Sequence, residues 1–201
     1  MTIKHEEVGA FLDSLGAKTP TPGGGAVAGL TAALGIALGR MVLSFSEGRK
    51  SLAEHAELHA SARERLDAAR GQALELADAD AAAYARMNEL WKLPEDDARR
   101  RAEMPAAVQA AIDVPRRVMT IADETLDACA SLLGRSNKHL ASDLAMAAIL
   151  AEAAARSAAW NVRINLPMLA DKAERTRLAR EIDAALASAA ARCAAIESGC
   201  A

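Results

Sequence analysis

Apolar residues recur at three- and four-residue steps along most of the chain, while strand-type clusters of Val, Ile, Thr and aromatic residues are absent. This spacing predicts an all-α fold, an antiparallel bundle of long helices. Ile3, Val8, Phe11, Leu12 and Leu15 predict a short amphipathic helix over 3–15 that ends at Gly16. Helical spacing resumes at about Gly24 and reaches Phe45, with Gly48 as the stop signal. Ser51 and Glu54 form a capping-box pattern for a helix running to about Lys92, which Pro94 stops. Glu95, Asp96 and Asp97 suit a new helix start, Pro105 predicts the beginning of another helix, and Pro115 predicts a kink within it. Gly134 is the C-terminal signal of that helix. After a polar loop, Ser142 is placed to cap a helix ending before Pro167, and a last helix covers roughly 171–197. Nothing in the pattern divides the chain, so residues 1–201 are expected to form one domain.

The helix after Gly24 has two kinds of face. Leu30, Leu34, Leu38, Met41 and Phe45 lie on one side, and Gly25, Gly29, Ala32, Ile36 and Gly39 on another. Gly25/Gly29 and Gly35/Gly39 are each four apart, which lets a neighbouring helix approach closely. The apolar run is interrupted by Arg40 and no second span exists, so a buried helix is favoured over a membrane span.

Composition adds a constraint on assembly. The chain is 52% hydrophobic but only 2% aromatic. Alanine dominates, which favours helix but buries little area per residue. A core this thin is expected to be completed by a second copy, with the glycine helix near the interface. A net charge of −3, with both signs interspersed, argues against nucleic acid. Cys129, Cys193 and Cys200 have no metal spacing, and no leader pattern precedes them, so a reduced cytoplasmic setting is expected.

Five stretches carry candidate chemistry. Thr21, Pro22, Gly23, Gly24 and Gly25 open a helix with uncovered N–H groups and a positive dipole end, which suits an anion and equally a tight turn before a core helix. Asp80 falls on the inward stripe of its helix with Leu76, Ala83 and Met87, whereas Asp78 lies off it. A carboxylate there needs a partner or a function. Asp143 follows Ser142 in a first helical turn, where the dipole favours its ionised form. Asn161 and Asn165 share a helical face that excludes Arg163. Their other reading is hydrogen bonding to neighbouring chain at a helix end. Lys50 follows Arg49 at a helix C-terminus and is a candidate for anion binding or proton transfer. Asp143 and Asn161 are 18 residues apart, about 27 Å along one helix, so they serve different ends of a ligand or different sites. His55 and His59 are read as an exposed pair rather than metal ligands. The three glycines match no phosphate-loop pattern, because no following lysine with Ser or Thr is present.

Several of these stretches resemble the cyclodeaminase/cyclohydrolase family of folate enzymes, which includes the C-terminal domain of formiminotransferase-cyclodeaminase and free-standing methenyltetrahydrofolate cyclohydrolases. The resemblance is carried by Pro20-Thr-Pro-Gly-Gly-Gly25, by Asp80-Ala-Ala-Ala-Tyr84 with Leu93-Pro94 soon after, by Ser142-Asp143, and by Asn161-Val-Arg-Ile-Asn165-Leu166. It departs from the family at Ser51 and Leu52, where many relatives carry further basic residues and a tyrosine. The resemblance implies a homodimeric enzyme that hydrolyses 5,10-methenyltetrahydrofolate to 10-formyltetrahydrofolate or runs the reverse, without metal or other cofactor. It implies Asp80, Asp143 and Lys50 as catalytic candidates. The glycine turn, Asn161, Arg163 and Asn165 are implied to hold the substrate. The alternatives are an ammonia-releasing formimidoyltetrahydrofolate cyclodeaminase and a non-catalytic helical dimer that binds folate.

Overall fold

In a computed structural model, residues 2–201 form six α-helices joined by short 3-10 turns, with no strand among the described residues. The helices are α1 (Val8–Gly16), α2 (Gly24–Ser44), α3 (Ala56–Trp91), α4 (Ala98–Leu132), α5 (Ala141–Asn165) and α6 (Lys172–Cys200). The expected all-α bundle is present.

Four helices make the core. α2 packs against α3 and α5, and α4 closes the ring between the same two helices. Neighbours in this ring are antiparallel. Along α2, Gly25 meets Asp80 while Gly39 meets Leu66; on the other side Gly24 meets Asn161 while Gly35 meets Ala147. α6 lies outside against α5 and α4, where Arg192 reaches Asp123 and Asp127 of α4.

The small residues explain the close packing. A Cβ at Gly29 would come within 2.9 Å of the Ala73 carbonyl, and one at Gly35 within 3.0 Å of the Ala147 carbonyl. The two glycine pairs are therefore used inside the chain, against α3 and α5. Gly29 does not lie at an interface with another copy, as the glycine pattern had suggested. Eleven residues of α2 are buried, although by length and hydropathy alone it could cross a membrane.

Several helix boundaries differ from expectation. Ser51 and Glu54 build no capping box: Lys50–His55 is a 3-10 turn, and α3 starts at Ala56 without a side-chain cap. Ser142 lies inside α5, whose N-cap is Leu140. Asp97 does cap α4, accepting from the N–H groups of Arg99 and Arg100. α4 then runs through both Pro105 and Pro115 instead of beginning at Pro105. Pro105 deprives the exposed Arg101 of an N–H partner for its carbonyl, which water can replace. Gly134 takes the left-handed conformation expected of it (φ 66°). His59 is buried rather than exposed, and its ring donates to the Arg135 carbonyl at 2.6 Å. Asp78, expected in solvent, accepts the Ile3 N–H at 2.8 Å and holds the N-terminal segment on α3. All three cysteines are free, and burial pushes the Cys129 thiol up to about 12.

Candidate functional site

α2 begins level with Asp80, whereas α3 continues from there to Trp91, about 16 Å further at 1.5 Å per residue. Above the start of α2 the fourth position of the ring is therefore vacant. A cavity of about 340 Å³ occupies it, floored by Gly23, Gly24 and Gly25. Its walls are Asp80, Tyr84 and Met87 of α3, Ala111 of α4, and Asn161 and Asn165 of α5. Tyr84 and Trp91 meet edge to face across the α3 side, with centroids 6.3 Å apart.

Asp80 is the only carboxylate lining this cavity. Its side chain lies directly against Gly25, in space that a Cβ at position 25 would overlap. Burial alone raises its pKa, with no hydrogen bond or neighbouring charge contributing. The N-terminal dipole of α2 acts in the opposite direction and favours the anion. The result is a half-buried carboxylate with a free face toward the cavity, able to accept a proton or face a cation.

The two asparagines are fixed by backbone. Asn165 Nδ2 donates to the Ala111 carbonyl at 3.1 Å and to the Asn161 carbonyl at 2.9 Å. Ala111 needs this donor because the residue four positions on is Pro115, which has no N–H. Asn161 Nδ2 donates to the Ser157 carbonyl at 3.3 Å. With both amide nitrogens engaged by carbonyls, the amide oxygens remain as acceptors for a ligand N–H.

The structure thus brings together Asp80, Thr21, Gly23, Gly24, Gly25, Asn161 and Asn165. Pro22 turns away and lines a shallower hollow with Asp78. Arg163 is not in the cavity: it pairs with Asp183 of α6 at 2.7 Å and lies over the Trp160 ring. Lys50 is at the other end of the bundle, in an open cleft of about 780 Å³ with Arg49, Ser136, Lys138 and His139. Asp143 is in the first turn of α5, also at that far end. Within one chain, the three catalytic candidates therefore do not share a site. The roles of Ala83, Met87, Trp91, Ala111 and Ile164 as lining were not read from the sequence, although Trp91 continues the 80, 84, 87 spacing of α3. No cluster of metal-ligating side chains is present among the described residues.

Comparison with known proteins bears on this geometry. The family model described as formiminotransferase-cyclodeaminase matches residues 7–184. A methenyltetrahydrofolate cyclohydrolase of Methylorubrum extorquens is 32% identical over 195 residues, covering 93% of this chain and 92% of its own. A chicken formimidoyltransferase-cyclodeaminase is 30% identical over 87% of this chain, which spans 33% of that relative's length. Among solved structures, a formiminotetrahydrofolate cyclodeaminase from Thermotoga maritima superposes with a TM-score of 0.87 at 27% identity and 98% coverage of both chains.

Proposed function

The chain belongs to the formiminotransferase-cyclodeaminase family of folate one-carbon enzymes, and from that premise we propose that it is a methenyltetrahydrofolate cyclohydrolase acting as a homodimer. The observation that carries the reading is the unpaired Asp80 carboxylate at the start of α2, in a cavity lined by rings and amides. The relative named for this reaction matches it nearly end to end.

The substrate carries a cationic amidinium carbon between two nitrogens. The Asp80 carboxylate stabilises that charge and orients a water toward the carbon. As the water oxygen bonds to carbon, its proton passes to Asp80, leaving a neutral carbinol. Asp80 returns this proton to N5 as the carbon–N5 bond breaks, and the carbinol hydroxyl proton leaves to solvent. The carbon remains on N10 as a formyl group. One water is consumed and one proton released, which balances the lost positive charge. A carboxyl whose pKa is raised by burial suits this double duty as base and then acid. Asn161 and Asn165 offer acceptors to the N–H edge of the pterin, and the α2 N-terminus faces the developing oxygen charge. Lys50 and Asp143 have no part in these steps within one chain.

The second reading is cyclodeaminase activity, favoured by the name of the solved structure that superposes over the whole chain. It uses the same cavity, with ammonia leaving as the ring closes. Parallel incubation with 5,10-methenyl- and 5-formimidoyltetrahydrofolate decides between them. The expected result is accelerated loss of methenyl absorbance above its spontaneous rate and no ammonia from the formimidoyl compound. Ammonia release would establish the second reading, and turnover of neither would leave folate binding without catalysis.

A further inference from the structure

Residues 2–23 leave the bundle and return to it on the same turn of α3. At one end the Ile3 N–H donates to Asp78 Oδ1 at 2.8 Å. At the other the chain enters α2, where Gly25 lies against Asp80. Asp78 and Asp80 are two positions apart, so they point to different sides of α3.

Between these anchors the segment is loosely held. α1 buries only Phe11, and no side chain of 2–23 belongs to the main hydrophobic core. Val8 and Leu12 are exposed. Among the described residues, the Ile3–Asp78 bond is the one hydrogen bond from 2–22 to the long helices. A hollow of about 300 Å³ remains beneath the segment, bordered by Ile3, Glu6, Ser14, Thr19 and Asp78. Few buried contacts over open space mark a segment that opens locally well before the fold does.

The segment is nevertheless bonded within itself. The Glu6 N–H donates to the Ile3 carbonyl at 3.2 Å, Ser14 Oγ to Glu6 Oε1 at 3.5 Å, and Thr19 Oγ1 to the Ser14 carbonyl at 3.4 Å. Pro20 and Pro22 stiffen the residues that follow. A shift at Ile3 is thereby carried to Thr21. Thr21 belongs to both spaces: it lines the hollow on one side and, with Pro20, the Asp80 cavity on the other.

We propose that residues 2–23 form a lid on the Asp80 cavity and that Asp78 is its latch. When latched, Pro20 and Thr21 stand at the cavity rim and contact the bound ligand. When unlatched, they swing away and the ligand leaves. Asp78 is a positioning residue: it touches no reacting atom and acts through Ile3 and Thr21. The seat of Asp80 against Gly25 belongs to the contact of α2 with α3 and does not depend on the latch. The latch governs binding and release and leaves the chemical step alone. Ligand and latch favour the same state, so bound ligand holds the segment down. The identity of that ligand rests on the proposed function.

Two variants break the bond from opposite sides. Asp78→Ala removes the acceptor. Ile3→Pro removes the donor, and proline fits there because Ile3 opens its 3-10 turn after an extended Thr2. A hydrogen bond to a charged group shifts an equilibrium by about ten-fold or more. Each variant should therefore raise KM for 5,10-methenyltetrahydrofolate by about ten-fold without lowering kcat. The combined variant should be no worse than either, since both remove one bond. Asp78→Asn keeps an acceptor oxygen and Ile3→Ala keeps the N–H, so both should stay near the wild-type KM. Amide hydrogen exchange over residues 8–23 should quicken in Asp78→Ala and Ile3→Pro, and 10-formyltetrahydrofolate should slow it in the wild type. A fall in kcat at unchanged KM overturns the inference, because Asp78 would then act along α3 on Asp80. Additive losses in the combined variant overturn it too, as does an Asp78→Asn as impaired as Asp78→Ala. A wild type that turns over no folate defeats the functional reading, whereas unchanged exchange in Asp78→Ala and Ile3→Pro defeats the latch.

Discussion

The Asp80 carboxyl and the Cα of Gly25 occupy neighbouring space that leaves no room for a side chain at position 25. Gly24 differs: a Cβ there would make ordinary contact, 3.6 Å from Asn161 Oδ1. Gly25→Ala should therefore push the carboxylate from its place and lower kcat by roughly 10²-fold, the scale of a 1 Å misplacement. Gly24→Ala should remain within a few-fold of wild type. Steady-state kinetics on the two variants checks the contrast, and equal losses would contradict it.

Asp80→Asn keeps the shape and removes the basicity. Its kcat should fall by about 10²–10⁴, read as methenyl absorbance decay corrected for the uncatalysed rate. A change confined to KM would mean that Asp80 contributes binding only.

The same residue sets a pH dependence. Burial raises the Asp80 pKa in the folded protein. A raised acid contributes stability that is full below its ordinary value, about 3.9 for aspartate, and lost as pH rises through the folded value. At neutral pH the wild type therefore carries a buried charge, and Asp80→Asn should melt at a higher temperature. The difference should shrink toward pH 4. kcat of the wild type should decline in acid from a higher pH than an ordinary aspartate would give, and the residual rate of Asp80→Asn should lack that limb.

Asn165 and Pro115 form a coupled pair through the Ala111 carbonyl. Asn165→Ala should destabilise by about 1–3 kcal/mol, because a buried acceptor is left without a donor. Pro115→Ala restores a backbone N–H to that carbonyl, so Asn165→Ala should cost less in that background. Denaturant unfolding of the four variants in the cycle measures the coupling, and strict additivity would refute it.

Gly29 tests where the small-residue face is used. Gly29→Leu would force a side chain against the Ala73 carbonyl and Ala77. It should destabilise the fold of each chain by about 1–3 kcal/mol or more, visible as a midpoint lowered by the same amount at every protein concentration. A difference from wild type that vanishes at high protein concentration would place Gly29 at an interface.

The inward turn of Asp80 was legible because one periodic stripe contains it with Leu76 and Met87. The open start of α2 was legible from two prolines and three glycines. The partnership of those two features was not, since it depends on how α2 and α3 cross. Arg163 shows the opposite failure. Its position two residues before Asn165 gave no sign that Asp183, 20 residues on, would claim it. Pro105 misled for a local reason, whereas Pro115 lies inside its helix as expected. A missing N–H usually ends a helix, but water can serve one orphan carbonyl and the Asn165 amide serves the other.

Because the cavity arises where one helix stops short of its neighbours, its volume is set by a difference in chain lengths and not by a hollow in the packed interior. The alanine-rich layers below Gly25 need no rearrangement when a ligand enters or leaves. A turn added before Gly24 would narrow the space above it while leaving the interhelical layers below Gly25 in register. Substrate range and foldability are then nearly independent variables in this architecture, and can be altered one at a time.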